Sequence, residues 1–311
     1  MQSLRDIRRR IRSIKSTRQI ARAMEMVSAA RLKRAQERLV SARPYADGLE
    51  AIVKRVCSRS PEVSHPFLVQ RDKKSVGICV IASDRGLCGA FNVNVLREAE
   101  RFAREVARDV TKRRAKESNK ESTKERTKET STKATQVHFL PVGKKVFLYF
   151  RKKGKALLSS IPEVGAFADA SLIGKFTKQL IGFYTEGKLD EIWLVFTHFI
   201  SSGSRRVTAT RLLPLELAES ESAAEEYGYI YEPEARELLE ALLPKYVATK
   251  VFMTFAESCA SEHSARMVAM SFATMNADDM VEALTLLANR ARQSSITKEI
   301  ADIVGTAEVL R

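Results

Sequence analysis

The sequence predicts an α/β protein in which long helices at the two ends of the chain pair with one another and flank a small Rossmann-like α/β domain. Three observations lead there. Residues 258–311 hold no Pro and one Gly, Gly305, and apolar side chains recur at Met267, Met270, Met275, Met280, Leu284, Leu287, Ile296, Ile300 and Ile303. Alone, that helix is roughly 80 Å long at 1.5 Å per residue, and a rod of that length needs a partner along its side. The opening of the chain offers one, because Leu4, Ile7, Ile11 and Ile14 alternate spacings of three and four, the signature of a coiled-coil seam. The middle of the chain alternates short β-branched runs with amphipathic segments, which argues for a largely parallel sheet.

The opening helix is expected to run to about Cys57. Its seam continues through Ile20 (or Ala21), Met24 and Val27, and Pro44 is expected to kink it. Ser75–Ala82 reads as a buried strand, followed by the loop Ser83–Asn92 and an amphipathic helix over Val93–Val110. A strand over Val137–Val142, a short helix over Lys144–Arg151 and a helix over Ser171–Gly182 follow. Glu191–Ile200 is the strongest strand, and the turn Ser201–Ser204 returns Arg205–Leu213 antiparallel beside it. Pro233 sits where a proline opens a helix, which then runs to about Glu308 with Pro244 as a kink. The expected organisation is therefore a helix over 1–58, a domain over 74–218 and a helix over 233–311.

Residues 111–135 stand apart. Lys116, Lys120, Lys124 and Lys128 repeat every four residues, as do Glu117, Glu121, Glu125 and Glu129, and almost nothing is apolar. Such a segment has no means of entering a core and reads as a solvated insertion. Residues 219–226 read as a short acidic linker.

With 44% hydrophobic residues the chain supports a packed core, and no run of about 18 apolar residues marks a membrane span. The N-terminus lacks the apolar segment of a secretory signal. It is Arg-rich enough to raise a mitochondrial presequence, but its periodicity continues unbroken for about forty residues. Cys57, Cys79, Cys88 and Cys259 form no CxxC pair and read as thiols of a reducing compartment. The net charge of +15 is unevenly spread: residues 1–43 carry thirteen Lys/Arg against three Asp/Glu, and residues 233–311 eight against eleven. Opposite signs favour pairing of the ends and acidic partners for the opening helix. Nucleic-acid binding is the sharper alternative to a solvated basic face, but no aromatic precedes Tyr45 on that helix.

Catalytic chemistry finds no support. His65, His138, His198 and His263 have no metal-ligand spacing, and Glu262 and His263 point about 100° apart as helix neighbours. Gly86 and Gly89 alone make neither a GxGxxG turn nor a P-loop. Asp84 and Arg85 are equally suited to capping a helix or pairing with each other. No cofactor or metal is expected.

Six stretches then carry a resemblance: Ala23–Ala30 (AMEMVSAA), Ser41–Tyr45 (SARPY), Ser83–Gly89 (SDRGLCG), Tyr229–Pro233 (YIYEP), Ser261–Met270 (SEHSARMVAM) and Arg292–Glu299 (RQSSITKE). In order, across nearly the whole chain, they resemble the gamma subunit of F-type ATP synthase. The 111–135 insertion is longer than is usual there and contains no Cys, so a redox-regulatory insertion of the chloroplast kind is absent. The resemblance implies an antiparallel coiled coil serving as a non-catalytic rotor inside a ring of three alpha and three beta subunits. Its α/β foot would contact the epsilon subunit and the c-ring. Proton-driven rotation would force each beta site through its conformations. It also implies that Met24, Arg266, Gln293 and Thr297 contact a beta subunit, and that Ile300, Ile303, Val304 and Leu310 form an apolar bearing at the tip. The implied place is peripheral, on the cytoplasmic face of a bacterial inner membrane, or an organellar inner membrane if a presequence is removed. Contact with the membrane is implied only through the membrane sector, and none with nucleic acid.

Overall fold

The computed structural model describes residues 3–309 apart from 61, 64, 119–135, 166–168, 217–231 and 233. The acidic linker 219–226, Pro233, Leu310 and most of the 111–135 insertion and of the YIYEP stretch lie outside the described residues. Helix α1 (Leu4–Arg59) opens the chain, and α5 (Ala235–Val309) closes it. Ser3 caps α1: its Oγ accepts from the Asp6 amide at 3.2 Å and donates to the Asp6 carboxylate at 2.7 Å, satisfying one of the orphan donors of the first turn. Both helices are assigned without a break through Pro44 and Pro244.

Contacts group the chain into two compact units, one of residues 1–30 with 266–311 and one of residues 31–265. In the first unit the opening of α1 pairs with the end of α5, and the Arg18 guanidinium donates to the Asp278 carboxylate. Ile7, Ala21 and Ser28 are buried here, with Leu4, Ile11, Ile14, Arg18 and Glu25 half-buried between them. These positions step by three and four without drift. Of the two expected alternatives at that step Ala21 is the buried one and Ile20 is 60% exposed, and the expected continuation to Val27, which is 50% exposed, is corrected to Ser28. A 3.5-residue repeat requires positions 21 and 28, and Ala and Ser there allow close helix approach.

On α5 the correction is larger. Met270 and Ala277 are buried, while Met275, Met280, Leu287, Ile296, Ile300 and Ile303 are exposed. The inward row is Met270, Thr274, Ala277, Val281, Leu284, Ala288 and Ala291, rich in small residues. Hydropathy picks out the large apolar residues, whereas close packing of two helices places small ones inside. From residue 292 onward every residue whose exposure is described is exposed.

The second unit contains a four-stranded sheet ordered β2-β1-β3-β4, from β1 (Ser75–Ile81), β2 (Gln136–Val142), β3 (Glu191–Phe199) and β4 (Arg205–Leu213). The first three are parallel and β4 is antiparallel to β3, as the hairpin turn predicts. Helix α2 (Phe91–Ser118) links β1 to β2, and α3 (Lys144–Lys152) and α4 (Ala170–Thr185) lie between β2 and β3. The pleat of β1 sorts its side chains between two cores. Val76, Ile78 and Val80 pack with Val95, Phe139 and Phe150, while Cys79 and Ile81 pack with Phe176, Tyr184 and Leu194. The latter core also holds Leu49, Val53 and Val56 of α1 and Leu239, Leu243 and Val247 of α5. Each such aliphatic side chain contributes about 1.5–3 kcal/mol of burial. In this unit Ala42 and Tyr45 of α1 and Ala248, Thr249 and Phe252 of α5 line one groove.

Candidate functional site

Two buried or loop carboxylates of the α/β unit, Asp84 and Glu191, are occupied in holding the fold. Asp84, in the SDRGLCG loop, accepts three backbone amides: Lys144 at 3.0 Å, Val164 at 3.0 Å and Gly165 at 2.9 Å. It caps α3 from a distance, where Gly143 supplies no side-chain cap. Glu191 is 3% exposed and takes Lys73 Nζ at 2.6 Å, Trp193 Nε1 at 3.1 Å and Arg211 Nη1 at 3.3 Å, while Arg211 also pairs with Glu216. Burial of this carboxylate is compensated by a full set of donors.

Burial pushes the thiols of Cys79 and Cys57 up, the opposite of what a nucleophile needs, and none of the four cysteines is in a disulfide. Among the described residues no group of three His, Cys, Asp or Glu is placed to hold a metal. A groove of about 290 Å³ between α1, α4 and α5 is lined by Ala42, Tyr45, Ile173, Gly174, Ala248 and Phe252. Its two threonine hydroxyls, Thr177 and Thr249, are bonded to carbonyls of their own helices. Among the described residues the rest of its lining is apolar apart from the Tyr45 hydroxyl.

The residues that the resemblance picks out lie on the two long helices. Arg8, Arg9, Arg10, Arg12 and Arg22 are exposed along α1. Met24 is half-buried on α1. On α5, Gln293 and Thr297 are exposed one turn apart, and the Thr297 hydroxyl donates to the Gln293 carbonyl at 3.0 Å, leaving its oxygen to accept. Ile296, Ile300 and Ile303 are exposed on the same stretch. Val304 lies in the helix, though its side chain is not among those described. Arg266 differs from the others: it is 6% exposed, within the row of small and polar residues at the middle of α5. The structure thus gathers Gln293, Thr297, Ile300 and Ile303 on one unpaired stretch of helix, and sets Met24 and Arg266 apart from it.

Residue patterns alone did not single out the polar stripe Glu257, Ser261 and Ser264. Its signal was present, as spacings of four and three within a run of apolar α5 residues. Among the described residues, no helix is long and apolar enough to cross a membrane.

Residues 3–310 match the family model described as ATP synthase. The chain is 40% identical over 310 residues to the ATP synthase gamma chain of Pelotomaculum thermopropionicum, covering 100% of both. It is 36% identical over 309 residues to that of Stenotrophomonas maltophilia (strain R551-3), covering 99% of both. Among solved structures, a chain of the Tetrahymena thermophila mitochondrial ATP synthase central stalk and c-ring is similar with a TM-score of 0.58 at 24% identity, covering 82% of this chain and 99% of that one. A chain of the Euglena gracilis mitochondrial ATP synthase superposes with a TM-score of 0.61 at 18% identity, covering 99% and 94%. These two carry the fold. The match to the family model across the chain and the full-length identities place this protein in the ATP synthase gamma chain family.

Proposed function

We propose that this chain is the central-stalk rotor subunit of an F1Fo ATP synthase, non-catalytic itself, coupling proton-driven rotation of the c-ring to conformational cycling of three beta subunits. Full-length identity to ATP synthase gamma chains carries this reading. The geometry supports it: stretches of the two long helices pair in the first unit, and exposed apolar and basic residues lie along them. In this reading residues 1–58 and 233–311 are the shaft, and residues 74–218 are the foot that meets the epsilon subunit and the c-ring. Alpha and beta subunits surround the shaft. The complex sits peripherally on the cytoplasmic face of a bacterial membrane.

Gln293 and Thr297 are the residues best placed to hydrogen-bond a beta subunit, since both are exposed and one turn apart. Met24 lies on the basic side, facing an acidic beta loop. Arg266 is assigned the same role on family resemblance, and its burial means that a partner carboxylate must reach it at the edge of the helix pair. Ile300, Ile303, Val304 and Leu310 form the bearing at the tip.

The test is co-purification with alpha and beta subunits, followed by ATP turnover of the Gln293→Ala/Thr297→Ala double variant. Reduced turnover in an intact assembly is expected. Elution of the wild-type chain alone in the presence of alpha and beta subunits overturns the reading. Unchanged turnover in the assembled variant removes the role of these two residues.

A further inference from the structure

We infer that Glu257, Ser261 and Ser264 are the joint through which turning force passes between α5 and the α/β domain. This rests on the rotor reading above and assigns the SEHS portion of the SEHSARM stretch a use that beta-subunit contact does not. The three side chains lie at steps of four and three along α5, so they share one face of the helix. All three meet the β3–β4 hairpin. Glu257 Oε2 lies 2.6 Å from His198 Nδ1. Ser261 Oγ donates to the Thr197 carbonyl at 3.0 Å. Ser264 Oγ donates to the Ser202 carbonyl at 2.5 Å and accepts from Arg205 Nη1 at 3.3 Å. Ser261 and Ser264 are fully buried.

The earlier turns of α5 in this unit pack into the core through apolar side chains, Leu239, Leu243, Val247, Val251 and Phe255. Such packing is non-directional, holding surfaces together by area. Hydrogen bonds weaken steeply with misalignment, so a row of them resists sliding and twisting of the helix across the hairpin. A shaft that must carry force from a foot needs that resistance where the two meet. Serine meets the need sterically as well: it donates from a short side chain and lets the helix backbone lie close to the hairpin. These are positioning residues, touching no nucleotide.

The experiment uses the assembled complex carrying Ser264→Ala or, separately, Glu257→Gln. Three quantities are read: amide exchange in residues 197–205, ATP hydrolysis by the alpha–beta–gamma assembly free of the membrane ring, and protons pumped per ATP hydrolysed by the whole complex. Loss of one neutral hydrogen bond corresponds to about a two- to tenfold rise in the opened joint, and hairpin exchange is expected to quicken by that factor. Hydrolysis without the ring stays at the wild-type rate, because no load crosses the joint, while protons pumped per ATP fall. A merely structural role leaves pumping per ATP unchanged while the hairpin exchanges faster, and that result overturns the inference. Equal losses with and without the ring overturn it too. Failure of the wild-type chain to assemble with alpha and beta subunits is a different result, refuting the rotor reading and the joint with it.

Discussion

Two isoleucines on one helix test the seam. Ile7 is 2% exposed and Ile20 is 60% exposed, both within the first unit. Ile7→Ala removes three buried carbons and leaves a cavity between the helices, at a cost of about 2–5 kcal/mol. At Ile20 only about two-fifths of the side chain is covered, which limits the lost burial to about 1 kcal/mol. The better helix propensity of Ala returns roughly 0.4 kcal/mol of that. Amide exchange over residues 4–30 reads the opening of this unit even when the rest of the chain stays folded. Ile7→Ala is expected to accelerate that exchange by roughly thirtyfold or more, and Ile20→Ala by less than about threefold. Comparable acceleration by the two variants refutes the seam through Ile7, Ala21 and Ser28 and restores a phase through Ile20.

Other outcomes follow from the α/β unit. Gly143 has φ +101°, and a Cβ there would lie 2.3 Å from the Ala82 carbonyl oxygen, so Gly143→Ala is expected to cost about 2 kcal/mol or more in urea unfolding. Glu191→Ala removes the buried carboxylate that holds Lys73 and Arg211 and leaves Arg211 with Glu216 alone, a loss of about 1–3 kcal/mol in the same assay. Burial, then the nearby Lys54 and Arg211, lower the Lys250 pKa against an opposing pull from Glu50. The folded state therefore binds this proton less tightly than the unfolded chain, stability rises with pH as Lys250 deprotonates, and Lys250→Met should raise the melting temperature at neutral pH. The hydrogen bond from Lys153, reinforced by Tyr149, holds the Glu100 carboxyl below its usual value. Its contribution, a few tenths of a kcal/mol at this solvated site, is present above the ordinary carboxylate pKa and lost as pH falls through the folded value. The stability gap between wild type and Glu100→Gln should therefore close in acid.

Local composition determined much of this protein. Uninterrupted 3–4 spacing with few breakers made the terminal helices legible, and β-branched runs closed by turn residues made all four strands legible with their order along the chain. The opposite charge of the ends foretold their pairing, and the six stretches in order foretold the family. Tertiary structure decided which face of each helix is inside. Ala21, Ser28 and Ala277 outcompete Ile20, Val27 and Met280 for the seam, because two backbones in close contact select for small volume rather than for hydropathy. It also decided what the polar residues do. Asp84 was open between capping and pairing until the chain brought the amides of Lys144, Val164 and Gly165 to it from 60 and more residues away. Arg266, which the resemblance assigns to a beta-subunit contact, is buried in the fold. Ser261 and Ser264 look like ordinary helix serines until the hairpin carbonyls arrive beside them. Periodicity and charge act between near neighbours and can be read along the chain, whereas hydrogen-bond partners distant in sequence exist only once the sheet and the long helices have come together.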